Sequence, residues 1–225
     1  MNKLDEKGIA LVFSLLALLM LSALGAGLVM TTSTEAVISG NFRAASEARH
    51  AARAIGYRAL LDLQALGSWD GVLAGVELSP FADGLPAGPR QLPGSIRIDL
   101  TEIANVANCG QAARCSAVAM AANRPGRPWA ANNPLWRPYA WGSLGALEGD
   151  ARPNGDYLVV ALVGDDGGEN DGDPQADGTS VTNPGSGRIL VRGLAFGPRG
   201  IRSSVELTLV RRSSGAVNVL SIKDL

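Results

Sequence analysis

Histidine and cysteine are scarce in this chain: of its 225 residues, one is histidine and two are cysteine. The single histidine, His50, excludes an H-E-x-x-H metal motif, and the chain also lacks G-x-S-x-G and Walker-type patterns. A zinc site would need ligands beyond the two thiols of Cys109 and Cys115. We therefore expect a protein that is not an enzyme.

An excess of charge of either sign is also absent. The chain has 20 basic and 21 acidic side chains, which leaves a formal net charge of −1. Proteins that bind nucleic acid or anionic lipid by electrostatic attraction usually carry a marked excess of lysine and arginine. We therefore expect no nucleic-acid partner.

Charged residues are missing from the whole run between Ile9 and Met30. As a helix this run is about 33 Å long at roughly 1.5 Å per residue, which crosses a hydrocarbon core of about 30 Å. The apolar core of a secretory signal has only about 7–15 residues and ends at a small-x-small cleavage site. The stretch Ser22–Ala26 imitates such a site, but the apolar run continues past it. The sequence predicts a transmembrane helix over residues 9–30.

Proline is absent from the next segment, Thr31 to Leu66. Apolar side chains recur there every three or four residues and most charged ones lie opposite, so we expect an amphipathic stalk helix over residues 31–66. Gly67-Ser68 then supplies a stop signal. The predicted apolar stripe consists of Ile38, Phe42, Ala45, Ala48, Ala52, Ile55, Ala59, Leu63 and Leu66.

Residues 67–225 are expected to form one exported domain, which begins with a loop-rich part. Short runs of alternating or continuous apolar residues predict strands. These are Ser95–Leu100, Tyr157–Val163, Arg188–Phe196, Ser203–Arg211 and Val217–Ile222. An antiparallel sheet of the last four would bury the stripe of the stalk helix. The expected fold is α+β, with one long N-terminal helix packed on a C-terminal antiparallel sheet.

The region from Arg124 to Tyr139, with Trp141 just beyond it, is rich in tryptophan, arginine and proline. Its rings could form a patch for a partner, but tryptophan is highly buried on average, so we favour a cover over a small core. Cys109 and Cys115 lie in the part that would be exported. An oxidising compartment favours a disulfide between them, and two reduced buried thiols are the alternative.

Six carboxylates crowd into the segment from Gly164 to Gly178. They belong to Asp165, Asp166, Glu169, Asp171, Asp173 and Asp177. Such crowding repels itself unless it is solvated or neutralised, and Ca²⁺ takes about six to eight oxygen ligands from loops of this kind. The EF-hand pattern fails because Gly167 stands where its first aspartate belongs. A solvated acidic loop is the favoured interpretation, and a calcium site is the alternative.

The N-terminal motifs resemble those of a known family. Lys7-Gly8 followed at once by an apolar helix resembles the leader of type IV prepilins, which a prepilin peptidase cuts after the glycine. The stretch from Thr31 to Ile55 is similar to the N-terminal region of the PilX family of minor pilins. The matching residues are Glu35, the Ser39-Gly40-Asn41 step and Ala51-Ala52, whereas Arg53 stands where that family usually has glutamate. The resemblance implies that residues 1–8 are a leader and that the mature chain begins at Ile9 with a methylated amine.

Major pilins carry a glutamate as the fifth residue of the mature chain, and that position here is Phe13. The K-type pseudopilins of type II secretion also lack this glutamate and sit at a filament tip, so the resemblance implies a tip subunit. The expected function is a non-catalytic minor pilin that initiates, caps or stabilises a type IV pilus. A type II secretion pseudopilin, or a signal-anchored periplasmic binding protein that forms no filament, is the alternative.

The resemblance also implies the location and the partners. The chain would cross the inner membrane once, with its C-terminal domain in the periplasm, and would reach the pilus tip on assembly. Its partners would be other minor pilins, the major pilin, the prepilin peptidase and the inner-membrane assembly platform. Some K-type pseudopilins bind calcium in the exported domain, which is the family argument for calcium at the acidic loop.

Overall fold

The structure is a computed structural model that describes residues 3–92, 96–147, 157–169, 173–176 and 187–225. The chain forms two compact units, residues 1–44 and residues 45–225. In chain order its helices and strands are α1 (Lys3–Gln64), α2 (Asp70–Leu73), β1 (Pro89–Leu92), β2 (Ile96–Asp99), α3 (Leu100–Cys109), α4 (Ala117–Met120), β3 (Arg137–Ser143), α5 (Leu144–Leu147), β4 (Leu158–Asp165), β5 (Arg188–Phe196), β6 (Arg202–Arg211) and β7 (Val217–Asp224).

Helix α1 is continuous through the expected boundary between span and stalk at Met30 and Thr31. It ends at Gln64, two residues before the expected end, and the chain then turns through hydrogen bonds from the Ala65 and Leu66 amides. Every side chain from Gly8 to Arg43 is exposed in this chain. By length and composition, α1 is the one helix of the described residues that could cross a membrane.

A five-stranded antiparallel sheet with the order β3-β4-β5-β6-β7 forms the centre of the second unit. Strand β4 is buried along its whole length, as expected of a central strand covered on both faces. The part of α1 from Ala48 onward packs on the inner face, where Ile55 and Leu63 join Val159 and Leu207 in one core. The predicted α+β arrangement is confirmed.

The predicted stripe is buried only in part. Ala48, Ala52, Ile55, Ala59 and Leu63 are fully buried, and Leu66 is partly buried against the same core. In contrast, Ile38 and Phe42 are 62% and 77% exposed, and Ala45 is exposed as well. Helical periodicity shows which face of a helix is apolar, but it does not show how much of that face the chain itself covers.

The outer face of the sheet has a second cover, which the sequence analysis missed. Helix α3 and the β1–β2 hairpin contribute Leu100 and Ile98 to a smaller core around Trp136 and Trp141. Leu100, expected to end a strand, begins α3 instead. The reason is local: the Asp99 side chain accepts a hydrogen bond from the Thr101 amide at 2.8 Å and caps the helix.

The outer edge of strand β3 is paired by a loop instead of a strand. The Ser79 amide donates to the Tyr139 carbonyl at 3.0 Å, and the Asp83 amide donates to the Trp141 carbonyl at 2.9 Å. The Ser79 hydroxyl also donates to the Asp62 carboxylate on α1. An unpaired edge invites association with another chain, and this loop removes that risk for β3.

Helix α1 lies against the sheet at a pair of glycines. A Cβ placed on Gly193 of β5 would stand 2.1 Å from the Ala52 carbonyl oxygen. A Cβ placed on Gly56 of α1 would stand 2.8 Å from a methyl group of Leu207. Glycine at both positions therefore allows the helix backbone to contact strand β5 directly.

We expect Gly193→Ala to destabilise the second unit, because the added methyl group would force the backbone of α1 off the sheet. Overpacking of this kind costs about 1–3 kcal/mol, or roughly 2–12 °C in melting midpoint for a domain of this size. Thermal unfolding followed by circular dichroism measures the shift. Gly40→Ala is the matched control, since a Cβ at Gly40 meets nothing within 4 Å. An unchanged midpoint for Gly193→Ala would contradict the close contact.

Candidate functional site

The apolar surface of α1 from Ile9 to Met30 is a long candidate interface, in which nearly every large side chain is exposed. Phe13 is 68% exposed, and Leu11, Leu18, Leu24 and Leu28 are exposed to a similar degree. Monomeric soluble proteins rarely leave so large a contiguous apolar patch in water. This surface is therefore a candidate membrane anchor and a candidate contact surface for other chains.

Four hydroxyl groups of α1, one within residues 9–30 and three just beyond Met30, donate to carbonyls of the same helix. The side chain of Ser14 donates to the Ala10 carbonyl at 2.8 Å, and Thr31 donates to the Gly27 carbonyl at 3.0 Å. Thr32 and Thr34 bond the Leu28 and Met30 carbonyls in the same way. Polar groups that enter hydrocarbon must be paired internally, and Ser14, the one of these four residues within the predicted span, meets that requirement.

The expected cleavage position is accessible within the described part of the chain. Gly8 and Ile9 are both exposed, and no other described segment lies within 4 Å of a Cβ placed on Gly8. Phe13 lies about one helical turn further along α1. Both residues lie within the helix α1, and cleavage between them stays a prediction from the sequence.

Farther along α1, Glu35 and the Ser39-Gly40-Asn41 step are exposed. Arg53, the residue that departs from the family pattern, donates to both oxygens of Asp224 on β7 at 2.9 and 3.1 Å. Both side chains are more than 40% exposed, so this bidentate pair contributes little stability. Arg53 nevertheless has a local partner, which a glutamate at that position would repel.

The acidic segment lies next to an arginine that the sequence analysis did not consider. Arg188, at the start of β5, lies 3.9 Å from carboxylate oxygens of both Asp166 and Glu169. Asp165 is buried at the end of β4, and the exposed Asp173 accepts a hydrogen bond from the Gln175 amide. Arg188 therefore supplies part of the neutralising charge that the crowded carboxylates require.

The calcium hypothesis receives no support from the described residues. Asp171 and Asp177 lie outside them, and within the described ranges no three His, Cys, Asp or Glu side chains are placed to hold a metal ion. The calcium site therefore stays a prediction from the sequence.

Cys109 and Cys115 are joined in a disulfide, with their Cα atoms 5.9 Å apart. Two arginines connect this region to its surroundings. Arg127 donates to the carbonyls of Ala107 and Pro134, and Arg124 donates to the Cys109 carbonyl. Burial, together with the nearby charges of other arginines, lowers the pKa of Arg127 to about 10. Both guanidinium groups therefore bind backbone carbonyls inside the domain.

The tryptophans of this region help to cover a small core, which is the interpretation that the sequence favoured. Trp136 and Trp141 are 2% and 0% exposed and belong to the outer core, while Trp129 is half-buried.

His50 is exposed on α1, and both cysteines are oxidised. His50 therefore supplies no general base to a pocket, and neither Cys109 nor Cys115 supplies a thiolate.

No family model, no curated protein and no solved structure matches this chain. The function must therefore be argued from the residues themselves.

A test of the acidic segment separates calcium from neutralisation by Arg188 and water. If calcium binds, the melting midpoint should be higher in millimolar calcium than in EDTA. A hundredfold excess over the dissociation constant adds about 2.7 kcal/mol, or roughly 5–10 °C. Asp171→Ala should remove the difference, while Asp83→Ala, on the β3 edge loop, should keep it. Identical melting curves in the two buffers would leave only the solvated loop.

Proposed function

We propose that this chain is a minor pilin-like subunit that initiates, caps or stabilises a type IV pilus and has no catalytic role. One observation carries the proposal: a single continuous helix has two parts with different surroundings. Its exposed apolar part is a candidate membrane anchor, and its remaining part is the central core element of an α+β domain. A subunit that leaves the bilayer to enter a filament needs an apolar helix that exchanges lipid for neighbouring helices.

The order of motifs supports this proposal over a simple anchor. Gly8 directly precedes the apolar run, and Glu35 and the Ser39-Gly40-Asn41 step follow it at the places where PilX-like minor pilins carry similar residues. A simple anchor has no need of a glycine at that boundary. It also has no need of Ile38 and Phe42, which extend the apolar surface beyond the predicted span.

Phe13 supports a place at the filament tip. A carboxylate within a bilayer costs about 2.5–3.5 kcal/mol on insertion scales, so it is retained only where a partner awaits it. A tip subunit has no subunit above it to offer that partner. In this proposal the domain faces the periplasm, and other minor pilins and the major pilin pack against α1 from below.

Processing by the prepilin peptidase is the most direct test. We expect a mature N-terminus at Ile9 in cells with the peptidase and retention of residues 1–8 in cells without it. Gly8→Val should block cleavage, because the enzyme must fit the residue before the bond. Gly27→Val, in the same helix, should be cut normally. Mass spectrometry of the purified protein reads each end, and an N-terminus near Gly27 would overturn the proposal in favour of a cleaved secretory signal.

A second test addresses the tip position. We expect Phe13→Glu to leave the number of pili unchanged or to lower it, because the new carboxylate would have no amine opposite it. The insertion penalty is about 2.5–3.5 kcal/mol. Phe13→Leu is the control and should assemble as the parent does. Pilus counts by electron microscopy decide the question: more pili with Phe13→Glu would indicate an internal subunit.

A further inference from the structure

The five-stranded sheet has two edges, and the described residues cover only one of them. On strand β3, the amides of Ser79 and Asp83 donate to the carbonyls of Tyr139 and Trp141, so a loop takes the place of a further strand. Strand β7 forms the opposite edge, and among the described residues no strand pairs with its outer side. An open edge presents a row of backbone donors and acceptors, and the chemistry that satisfies such a row is an extended chain.

Helix α1 lies beside this open edge and contacts it at two points. The Arg53 guanidinium donates to both carboxylate oxygens of Asp224 at the end of β7. The Gln64 side chain donates to the Val217 carbonyl at the start of β7 at 3.4 Å. The part of α1 between these two residues therefore runs along the edge, antiparallel to β7.

Two apolar side chains of α1 lie between these two contacts. Tyr57 and Leu61 follow Arg53 at intervals of four residues and therefore share its face of the helix. They are 44% and 62% exposed. On β7, Ile222 is 46% exposed and lies opposite the buried Leu207, so it faces α1. Tyr57, Leu61 and Ile222 form an apolar patch on the inner side of the open edge, which we call the edge patch.

The outer side of the same edge is polar and carries a charge without a partner. Ser221 lies opposite Thr208 and donates to its hydroxyl, and Lys223 lies opposite Glu206. Glu206 already pairs with Arg192 at 2.6 Å, and no described residue forms an ion pair with the exposed Lys223. A lysine on an edge strand discourages pairing with strands in general, whereas a carboxylate opposite it favours one particular strand.

We propose that β7 accepts a strand of a different protein, which pairs with its open edge through backbone hydrogen bonds. Every second side chain of that strand is apolar and packs on the edge patch, and an acidic side chain on the other face lies next to Lys223. Strand β7 has 8 residues and is about 26 Å long at roughly 3.3 Å each, which is enough for a partner strand of about five or six residues. Leu220 has no partner on β6, and this bulge, like Lys223, selects against uncontrolled pairing.

A second copy of this chain fits the edge less well than a different protein does. Directly opposed residues of two paired strands share a face, so Lys223 would meet an outer-face residue of the second β7. That face contains Asn218, Ser221 and Lys223 and no carboxylate. Asp224 faces α1 instead and binds Arg53. The β3 edge of a second copy is already covered by its own loop. Charge complementarity therefore favours another protein, and the proposal does not depend on the filament function.

The test uses the full chain in nanodiscs and blocked, fluorescein-labelled peptides, and empty nanodiscs correct for partition into lipid. The acidic peptide is Thr-Val-Asp-Val-Thr-Val-Thr, in which apolar and polar residues alternate as in the proposed strand. The basic peptide has lysine in place of aspartate. We expect the acidic peptide to bind about fivefold more tightly or more, because the basic one repels Lys223. Fluorescence anisotropy measures both affinities.

Two N-methylated forms of the acidic peptide test the backbone hydrogen bonds. One form carries methyl groups on the amide nitrogens of its three valines, and the other carries them on its aspartate and its last two threonines. Alternate amides of an extended chain point to opposite edges. A strand that pairs with β7 uses one edge only, so we expect one form to lose binding and the other to keep it. Equal affinities of the two forms would indicate adsorption to an apolar surface and would overturn the proposal.

Two pairs of variants locate the binding. Lys223→Glu should reverse the preference in favour of the basic peptide, whereas Arg114→Glu, at an exposed arginine in the disulfide loop, should leave the preference unchanged. Leu61→Asp places a charge in the edge patch and should weaken binding about fivefold or more. Leu85→Asp changes a leucine that is 77% exposed in a loop and should bind as the parent does. Circular dichroism of each variant checks that a loss of binding is not a loss of folding.

Three further results would overturn the proposal. The first is the absence of saturable binding of the acidic peptide to the parent chain. The second is an unchanged peptide preference in Lys223→Glu. The third is self-association of the parent chain in sedimentation, lost in Leu61→Asp, when neither peptide binds, which would assign the edge to a second copy.

Discussion

The contact between α1 and the inner face of the sheet is the constraint on which the second unit depends. Small residues make it possible: the alanines of the buried stripe and Gly56 allow the helix to meet Gly193 at backbone distance. Because the helix lies so close to the sheet, its polar side chains extend toward the two edges of the sheet. Arg53 then reaches Asp224 on β7, and Asp62 receives the Ser79 hydroxyl from the loop that covers β3. The same packing therefore places Arg53 beside β7 and Asp62 beside the loop that covers β3.

The residues of the same helix before Ala48 are nearly all exposed. Ile38 and Phe42 continue the spacing of the buried stripe, yet both lie open, as does the whole apolar run that precedes them. Burial of apolar area stabilises at about 25 cal/mol per Å², so an unaided helix of this kind would be strongly unfavourable in water. This surface is a candidate for contact with lipid and, in the proposed filament, with other subunits.

Periodicity is enough to predict the stripe from Ala48 to Leu63 and the four C-terminal strands, because apolar residues recur along each of these elements with the period of a helix or a strand. Helix α3 was missed although Asp99, Glu102 and Gly110 are ordinary cap signals around it. Strand β3 was missed because proline and tryptophan surround it and its partners are distant in sequence. The pairings of Arg53 with Asp224 and of Arg188 with Asp166 and Glu169 depend on strand register, which local pattern does not contain.

The two faces of the sheet are covered to different extents. The inner face is filled by α1, so any partner on that side must contact the helix and not the strands. The outer face is covered over β3, β4 and the first half of β5, and its cover ends where Leu194 and Phe196 meet the polar side of β6. A cleft whose lining includes Ile103, Val106, Leu194 and Phe196 lies at that boundary. The inner face is therefore closed by the chain's own helix, whereas the outer face keeps an apolar strip that the described residues leave partly exposed.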